Sequence, residues 1–197
     1  MIILYKLNRV IVSFVTTIIN KLLMCISGVV YGKGFRSCGL IHFRNYSGKC
    51  SIVMGKYVNI NSCGMANPVY GNGKTYLITT DNGKVIIGDN VGLSNCVLFS
   101  FNRIEIGPET TMGAGTKIYD SDFHSTNPDD RINGNINIPS APVLIGKRVF
   151  IGSGVTILKG VKIGDESVVG AGSVITHSIP SREVWAGNPA RFIRKIE

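Results

Sequence analysis

The chain has 197 residues, with 21 Lys and Arg against 12 Asp and Glu, and a formal net charge of +9. This length suits one domain with terminal appendages, and 24 Gly with only 8% aromatic residues favour a repetitive solenoid over an ordinary globular core. The positive charge indicates an anionic partner, such as a phosphorylated small molecule or a membrane surface. Because the basic residues are scattered and no recognition module is present, we expect no nucleic-acid partner.

The N-terminal segment, residues 1–30, is apolar apart from one stripe. Its polar residues recur at helical spacing: Lys6, Arg9, Ser13, Thr16, Thr17 and Asn20. The uninterrupted apolar stretches are too short to span a bilayer, and the uncharged start with a poor cleavage site argues against a signal peptide. We expect a helix that covers the open end of the following domain or packs on a neighbouring subunit. A peripheral contact with the inner face of a membrane is the alternative.

The second segment, residues 31–188, contains a six-residue repeat. Between Pro142 and Pro180 an aliphatic residue recurs at Ile145, Ile151, Ile157, Ile163, Val169 and Ile175. Two positions before each stands a Val or Ser: Val143, Val149, Val155, Val161, Ser167 and Ser173. A fixed period of six is neither helical nor that of an ordinary strand, and it predicts a parallel β-helix in which three hexads close a coil of 18 residues.

The same signature occurs further back, at uneven intervals. It places Met54, Ile87, Ile106, Ile145 and Ile163 one above another, with spacings of 33, 19, 39 and 18. The excess over one coil predicts a one-residue bulge near Phe101 and surface loops near residues 67–76 and 119–142. Long ordered loops on a rigid scaffold commonly carry function.

Few residues are suited to chemistry. The larger loop contains Asp120-Ser121-Asp122-Phe123-His124, and a His near neutral pKa can take a proton from a hydroxyl or an amine. A zinc centre would need three convergent His, but His42 and His177 lie far from His124 in the chain, so we expect no metal. Five Cys without a CxxC pair favour reduced thiols in a cytoplasmic protein.

Three features in order resemble a known family. The hexapeptide coils, the loop with His124 and the ending Pro180-x-x-x-Val184-x-Ala186-Gly187-Asn188-Pro189-Ala190 are similar to the acyl-CoA-dependent hexapeptide-repeat acyltransferases. The nearest branch resembles the maltose and galactoside acetyltransferases and the O-acetyltransferases of surface-polysaccharide gene clusters. The resemblance covers residues 31–197. It implies an all-β, left-handed parallel β-helix, with the N-terminal helix before it and a short C-terminal helix or tail over 189–197.

The resemblance also implies an assembly and a mechanism. We expect a homotrimer with active sites between subunits and acetyl-CoA along the groove between adjacent coils. By position His124 is the general base, which deprotonates an acceptor hydroxyl for direct attack on the thioester in a ternary complex. Asp122 would contact the acceptor or orient His124, unless it only folds the loop. Asn95 resembles the acceptor-binding Asn of the family, with a turn-stacking role as the alternative.

The remaining implied roles concern acetyl-CoA. By resemblance, Phe150 would form an apolar wall, and Ser153, Ala171 and Thr176 would line the channel of the pantetheine arm. His177 stands where the family often has Lys. Arg191 and Arg194 would lie near the CoA phosphates. Two of these depart from the family, which commonly has Trp at the position of Phe150 and often Lys at that of His177. The His177 change weakens the case for a fixed positive charge there.

The resulting prediction is an O-acetyltransferase that modifies a sugar hydroxyl in capsular or surface-polysaccharide biosynthesis. An N-acetyltransferase of an amino sugar, and an acetyltransferase of a small metabolite or antibiotic, are alternatives. A non-catalytic β-helix scaffold is a further alternative, although the intact His124 loop argues against it.

Overall fold

The computed structural model describes residues 2–48, 51–71, 73–80 and 82–197. Strands are numbered β1 to β20 in chain order. They follow a long helix α1 (Ile2–Ile26), and the chain also contains a short 3₁₀ helix (Pro68–Tyr70) and a one-turn helix α2 (Pro128–Ile132).

The strands form three sheets, each receiving one strand from every coil. Sheet A contains β1 (Val30–Tyr31), β4 (Ile52–Met54), β7 (Lys84–Ile87), β10 (Arg103–Ile106), β13 (Val143–Ile145) and β16 (Lys162–Ile163). Sheet B contains β2 (Arg36–Cys38), β5 (Asn59–Asn61), β8 (Gly92–Ser94), β11 (Thr111–Met112), β14 (Phe150–Ile151), β17 (Val168–Val169), β19 (Glu183–Gly187) and β20 (Ala190–Lys195). Sheet C contains β3 (His42–Asn45), β6 (Tyr76–Thr79), β9 (Val97–Ser100), β12 (Lys117–Tyr119), β15 (Thr156–Ile157) and β18 (Val174–Ile175).

This arrangement confirms the parallel β-helix. Neighbouring strands within each sheet are parallel, except for the antiparallel pair β19 and β20. Both repeat positions point inward: every aliphatic from Ile145 to Ile175, and every Val or Ser two residues before it, is at most 3% exposed. The interior is therefore a continuous stack of small aliphatic side chains, which explains why two or three residues suffice for a strand in this region.

The uneven spacings are also confirmed. Met54, Ile87, Ile106, Ile145 and Ile163 are successive register partners in sheet A. The interval from Ile87 to Ile106 exceeds one coil by one residue, because one spacing within it is shorter than six residues and another is longer. Interior residues Leu93 and Leu98 are only five residues apart, whereas Leu98 and Ile106 are eight apart. The first change falls at Asn95, whose backbone turns with a φ of 48°.

The 21 extra residues of the longest interval all leave at one corner, between β12 in sheet C and β13 in sheet A. The chain departs after Tyr119, makes α2 and returns at Val143. Asp120 is fully buried and accepts hydrogen bonds from Ser100 Oγ (2.6 Å) and from the backbone N–H groups of Phe101 (2.8 Å) and Asn102 (3.0 Å). This carboxylate therefore fixes the start of the loop to the preceding coil.

The part of the polar stripe of α1 from Ser13 to Asn20 faces the solenoid. Asn20 is fully buried; its amide donates to Ser37 Oγ (2.8 Å) and Gly39 O (3.0 Å) and accepts from Ile41 N (3.1 Å). Thr16 and Thr17 accept from the backbone N–H groups of Gly39 and Ser37. The helix side chains thus satisfy backbone groups of β2 and the turn after it, as a preceding strand would.

The expected C-terminal helix is wrong. Residues 190–195 form β20, which pairs with β19 across a turn at Asn188-Pro189. Trp185 and Phe192 lie on the same side of this hairpin with ring centroids 6.5 Å apart. Because β19 also pairs with β17, the end of the chain continues sheet B, and aromatic and β-branched residues favour that extended form.

Candidate active site

His124 lies in the longest loop, at the corner where sheet C passes to sheet A, and its side chain is exposed. The backbone on both sides of it is held by one amide. Asn135 Nδ2 donates to Phe123 O (2.9 Å), and Ser125 N donates to Asn135 Oδ1 (3.2 Å). This amide bridges the residues before and after His124, so an exposed imidazole stands on a fixed piece of backbone.

An aromatic cluster of Phe99, Phe101, Tyr119 and Phe123 packs the same loop against sheet C. Phe123 meets the other three rings edge-on, with centroid distances of 5.0 Å to Phe99, 5.7 Å to Phe101 and 5.3 Å to Tyr119. Edge-to-face packing at these distances is the favoured aromatic geometry. The loop is therefore built onto the outer surface of sheet C, and His124 projects beside it.

Asp122 makes an ion pair with Lys159, with 2.6 Å between Nζ and Oδ1 and each side chain about a third exposed. Within the described part of the chain it makes no hydrogen bond to the ring of His124. Sequence reasoning missed Lys159. The signal was available, because the 39-residue register that pairs Ile118 with Ile157 places Lys159 one coil beyond the start of the loop.

Asn95 lies at the other edge of sheet C, at the corner between β8 and β9. It is 2% exposed, and neither atom of its amide has a hydrogen-bond partner among the residues described. It lines a cleft of about 330 Å³ together with Lys74, Tyr76 and Lys117, none of which the sequence had indicated. A buried amide without a partner is costly, so this one is available to a ligand in the cleft.

His124 and Asn95 are not brought together within one chain. Asn95 precedes β9, and the His124 loop follows β12, so the width of sheet C lies between them. Three strand residues alone span roughly 10 Å at about 3.3 Å per residue. One acceptor hydroxyl bound at Asn95 is therefore out of direct reach of His124 in the same subunit.

The residues expected around acetyl-CoA divide in the same way. Ser153 and Ala171 lie on the corner that carries Asn95, whereas Thr176 and His177 follow β18 on the His124 side. Thr176 Oγ1 and His177 Nδ1 are 2.8 Å apart. Phe150 is half exposed on the outer face of sheet B, and Arg191 and Arg194 are exposed on β20.

The Ser153 corner carries no bulky side chain because its turns stack backbone on backbone. The N–H of Gly172 donates to Ser153 O (2.8 Å) one coil away. A Cβ on Gly152 would lie 2.5 Å from Ala171 N, so only glycine fits there. A slender chain with amide groups could lie along such a corner.

The described residues contain no group of three or more His, Cys, Asp or Glu placed to hold a metal ion. What the site does contain is an imidazole open to solvent and able to accept a proton. It also contains an unpartnered amide and a corner of small residues. These parts suit proton abstraction from a bound acceptor and binding of an extended co-substrate.

Comparison with protein families identifies the repeat. The family model described as "Hexapeptide repeat of succinyl-transferase" matches residues 142–177. Among curated proteins, the putative lipopolysaccharide biosynthesis O-acetyl transferase WbbJ of Escherichia coli is 37% identical over 121 residues, covering 57% of this chain and 61% of the relative. The galactoside O-acetyltransferase of E. coli is 39% identical over 120 residues, covering 61% and 48%. The chain thus spans about half to three fifths of the length of these relatives.

Solved structures share the fold. The N-acyltransferase AntD of Bacillus cereus, in complex with dTDP and 3-hydroxybutyryl-CoA, superposes with a TM-score of 0.70 at 22% identity, covering 90% of this chain and 88% of that one. The hexapeptide-repeat acetyltransferase VCA0836 of Vibrio cholerae, complexed with acetyl-CoA, gives a TM-score of 0.58 at 24% identity, covering 90% and 75%. At these identities the likeness concerns the architecture alone.

Proposed function

Because the chain belongs to the hexapeptide-repeat acetyltransferase family, we propose that it transfers an acetyl group from acetyl-CoA to a sugar hydroxyl in the assembly of a surface polysaccharide. The relatives that support this acceptor are named for lipopolysaccharide, colanic acid and galactoside acetylation. The observation that carries the proposal is His124, which is exposed on a loop held by Asn135 and by the aromatic cluster.

In the proposed reaction an imidazole nitrogen of His124 takes the proton of the acceptor hydroxyl as its oxygen attacks the thioester carbonyl. The tetrahedral intermediate then collapses and expels the coenzyme thiolate. The imidazolium returns the proton to this sulfur, so the products are the O-acetyl ester and free CoA. No covalent acyl-enzyme is formed, and the thiols of the chain take no part.

Acetyl-CoA would lie along the corner of Ser153 and Ala171, where small residues leave room for the pantetheine arm. Phe150 would supply an apolar wall, and Arg191 and Arg194 would face the phosphates. Thr176 and His177 come from the opposite edge of sheet C and would close the groove from a neighbouring subunit.

A homotrimer of left-handed β-helices completes the site in this proposal. Each chain carries His124 at one edge of sheet C and Asn95 at the other. A cyclic assembly brings the first edge of one subunit against the second edge of the next, which gives equivalent composite sites. Because the proposed reaction uses acetyl-CoA, the proposal includes a cytoplasmic location, with a peripheral contact at the inner face of the membrane as the alternative.

The decisive experiment measures thiol release from acetyl-CoA with a panel of sugars, amino sugars and nucleotide sugars. We expect a hydroxyl acceptor to be used, and His124→Ala to lower kcat by roughly 10²- to 10⁴-fold, as loss of a general base typically does. The melting temperature should not change, because the ring is exposed. Ile132→Ala, an 82% exposed residue of the same loop, is the matched control and should retain full activity.

Two results would contradict the proposal. If His124→Ala transfers acetyl groups at the normal rate, His124 is not the base. If only amines are acetylated, the acceptor class is wrong while the acetyl-CoA chemistry stands.

A further inference from the structure

Helix α1 presents an apolar face to the outside from Leu4 to Leu22. Leu4, Leu7, Ile11, Phe14, Ile18 and Leu22 are between 47% and 72% exposed. Contiguous apolar patches of this kind on a soluble surface mark interaction sites. Surface helices normally bury this stripe and expose the polar one, so α1 is the reverse of the usual arrangement.

The reversal is held in place by the hydrogen bonds of the polar face. Asn20 is fully buried and makes three hydrogen bonds to the coil, and Thr16 and Thr17 add others to Gly39 and Ser37. Rotation of the helix to bury its leucines would break all of these and leave backbone groups of β2 and the turn after it unpaired. The outward apolar face is therefore a built feature of the fold.

The charge of the molecule is concentrated at the same end. Residues 1–80 contain nine Lys and Arg and no Asp or Glu, whereas residues 81–197 contain 12 of each sign, so the whole net charge of +9 belongs to the N-terminal coils and α1. Lys6, Arg9, Lys21 and Arg36 line a cleft of about 820 Å³ along the flank of the helix. An apolar stripe bordered by cations is the pattern of helices that lie in the surface of an anionic bilayer.

We propose that α1 and the cationic N-terminal coils dock on an anionic lipid bilayer, with α1 lying in the plane of the interface. Leu4–Ile26 is long and apolar enough by composition to cross a membrane. A spanning helix, however, would have to pull its polar stripe away from β2. A second copy of the same face would bring like charges together, which disfavours self-association. The proposal does not depend on acetyl transfer.

The test uses the full chain and flotation with two kinds of vesicle, pure phosphatidylcholine and phosphatidylcholine with about a third phosphatidylglycerol. We expect binding to the anionic vesicles to be at least about 10-fold tighter than to the neutral ones and to weaken as salt is raised. Phe14→Gln with Ile18→Gln should abolish binding without lowering the melting temperature, because both side chains are exposed. The matched apolar control is Ile132→Gln with Ile136→Gln, on the distant loop.

Charge is tested separately. Lys6→Gln with Lys21→Gln should remove most of the preference for anionic vesicles, whereas Arg194→Gln with Lys195→Gln on β20 should leave it intact. Equal binding to both vesicles, or none, overturns the proposal. Binding that resists high salt and alkali indicates a spanning helix and overturns it too. If the native chain does not bind vesicles and the Phe14→Gln, Ile18→Gln variant dissociates the oligomer, the apolar face of α1 binds a second copy of the chain and the proposal is wrong.

Discussion

Asn95 combines a turn geometry with an unused amide. Its φ of 48° lies in the left-handed region, which Asn tolerates better than most residues. Its backbone N–H donates to Asn61 O (2.8 Å) one coil away, which is the turn-stacking role. The side chain contributes nothing to that stacking, because neither amide atom has a partner among the described residues. The amide is therefore the part of the residue left for a ligand.

This separation between the backbone, which serves the fold, and the side-chain amide, which has no partner, predicts the effect of Asn95→Gly. Glycine adopts positive φ without strain, and removal of an unpartnered buried amide relieves a cost of about 1–3 kcal/mol. The melting temperature should therefore stay the same or rise, while KM for the acceptor rises about 10-fold through the lost hydrogen bonds. Asn90→Gly, at an exposed turn with a φ of 56°, is the control and should change neither quantity. A destabilised Asn95→Gly with normal KM would assign the side chain to the fold.

His42 should make the fold sensitive to acid. Burial, with the nearby cations Lys74 and Arg44, lowers the pKa of His42 below its ordinary value. The folded state then binds fewer protons than the unfolded state, so the free energy of unfolding decreases as pH falls through about 6.5.

The test compares melting temperatures at about pH 7.5 and about pH 5.5. His42→Phe should keep the stacking on Tyr76, whose ring centroid is 4.7 Å away, and lose less stability on acidification than the native chain. His177→Phe, at an exposed position, should lose as much as the native chain. Equal acid sensitivity of the native chain and His42→Phe would contradict this assignment.

At the scale of the element, the His124 loop is a small structure of its own. Its two ends meet at an antiparallel bridge between Ser121 and Ser140, and Ser125 Oγ donates to Asp130 Oδ2 (2.9 Å) inside it. The Asn135 amide then fixes the residues that flank His124. In the proposed mechanism the position of the base therefore depends on a side chain eleven residues away from it.

Asn135→Gly should therefore lower kcat although Asn135 makes no contact with the reacting atoms in the proposed mechanism. Asn135 has a φ of 57°, so glycine keeps the backbone while the bridge is lost. Misplacement of a reacting group by about 1 Å can cost up to roughly 100-fold, and we expect a kcat loss of about 10-fold or more with KM for acetyl-CoA unchanged. Asn137→Gly, with a φ of 53° in the same loop, is the control. Equal kcat in the two variants would exclude a positioning role for Asn135.

The repeat predicted the coils because a period of six leaves one solution, in which Met54 through Ile163 stack. It also predicted the size of the His124 insertion, since any excess over 18 residues must leave the solenoid. The contacts inside the loop were not predictable, because Asn135 and Phe123 carry no period. The C-terminal hairpin was missed for the same reason, since β20 is fixed by pairing with β19 rather than by a local pattern.

Helix α1 shows a different limit. The polar stripe could be identified from the sequence, but the sequence did not show whether the stripe faces the solenoid or the solvent. Polar stripes usually face water. Here the stripe faces the protein instead, because its side chains accept hydrogen bonds from backbone N–H groups of the Ser37–Ile41 segment. Only the tertiary structure decides which side of the helix is outside.

At the scale of the whole molecule, the division of the site predicts complementation between subunits. His124→Ala and Asn95→Gly each damage one edge of sheet C. When the two variants are co-expressed with different tags and the mixed trimers are isolated, about a third of the composite sites should carry both native residues, since each mixed trimer has one such interface in three. Activity at low acceptor concentration should rise accordingly above that of either variant alone. If mixed oligomers are no more active than the separate variants, both residues serve one chain.

The two ends of the solenoid also set its length. Stacked parallel strands could in principle be elongated by the next molecule, since each sheet ends in unpaired N–H and C=O groups. On sheet B this is prevented at one end by the hydroxyl and amide groups of α1, and at the other by the antiparallel β20. The last strands of sheets A and C, β16 and β18, are only two residues long. Growth of sheet B into a fibre would need removal of both terminal elements, so the segments at the two ends of the solenoid also protect this sheet from end-to-end pairing.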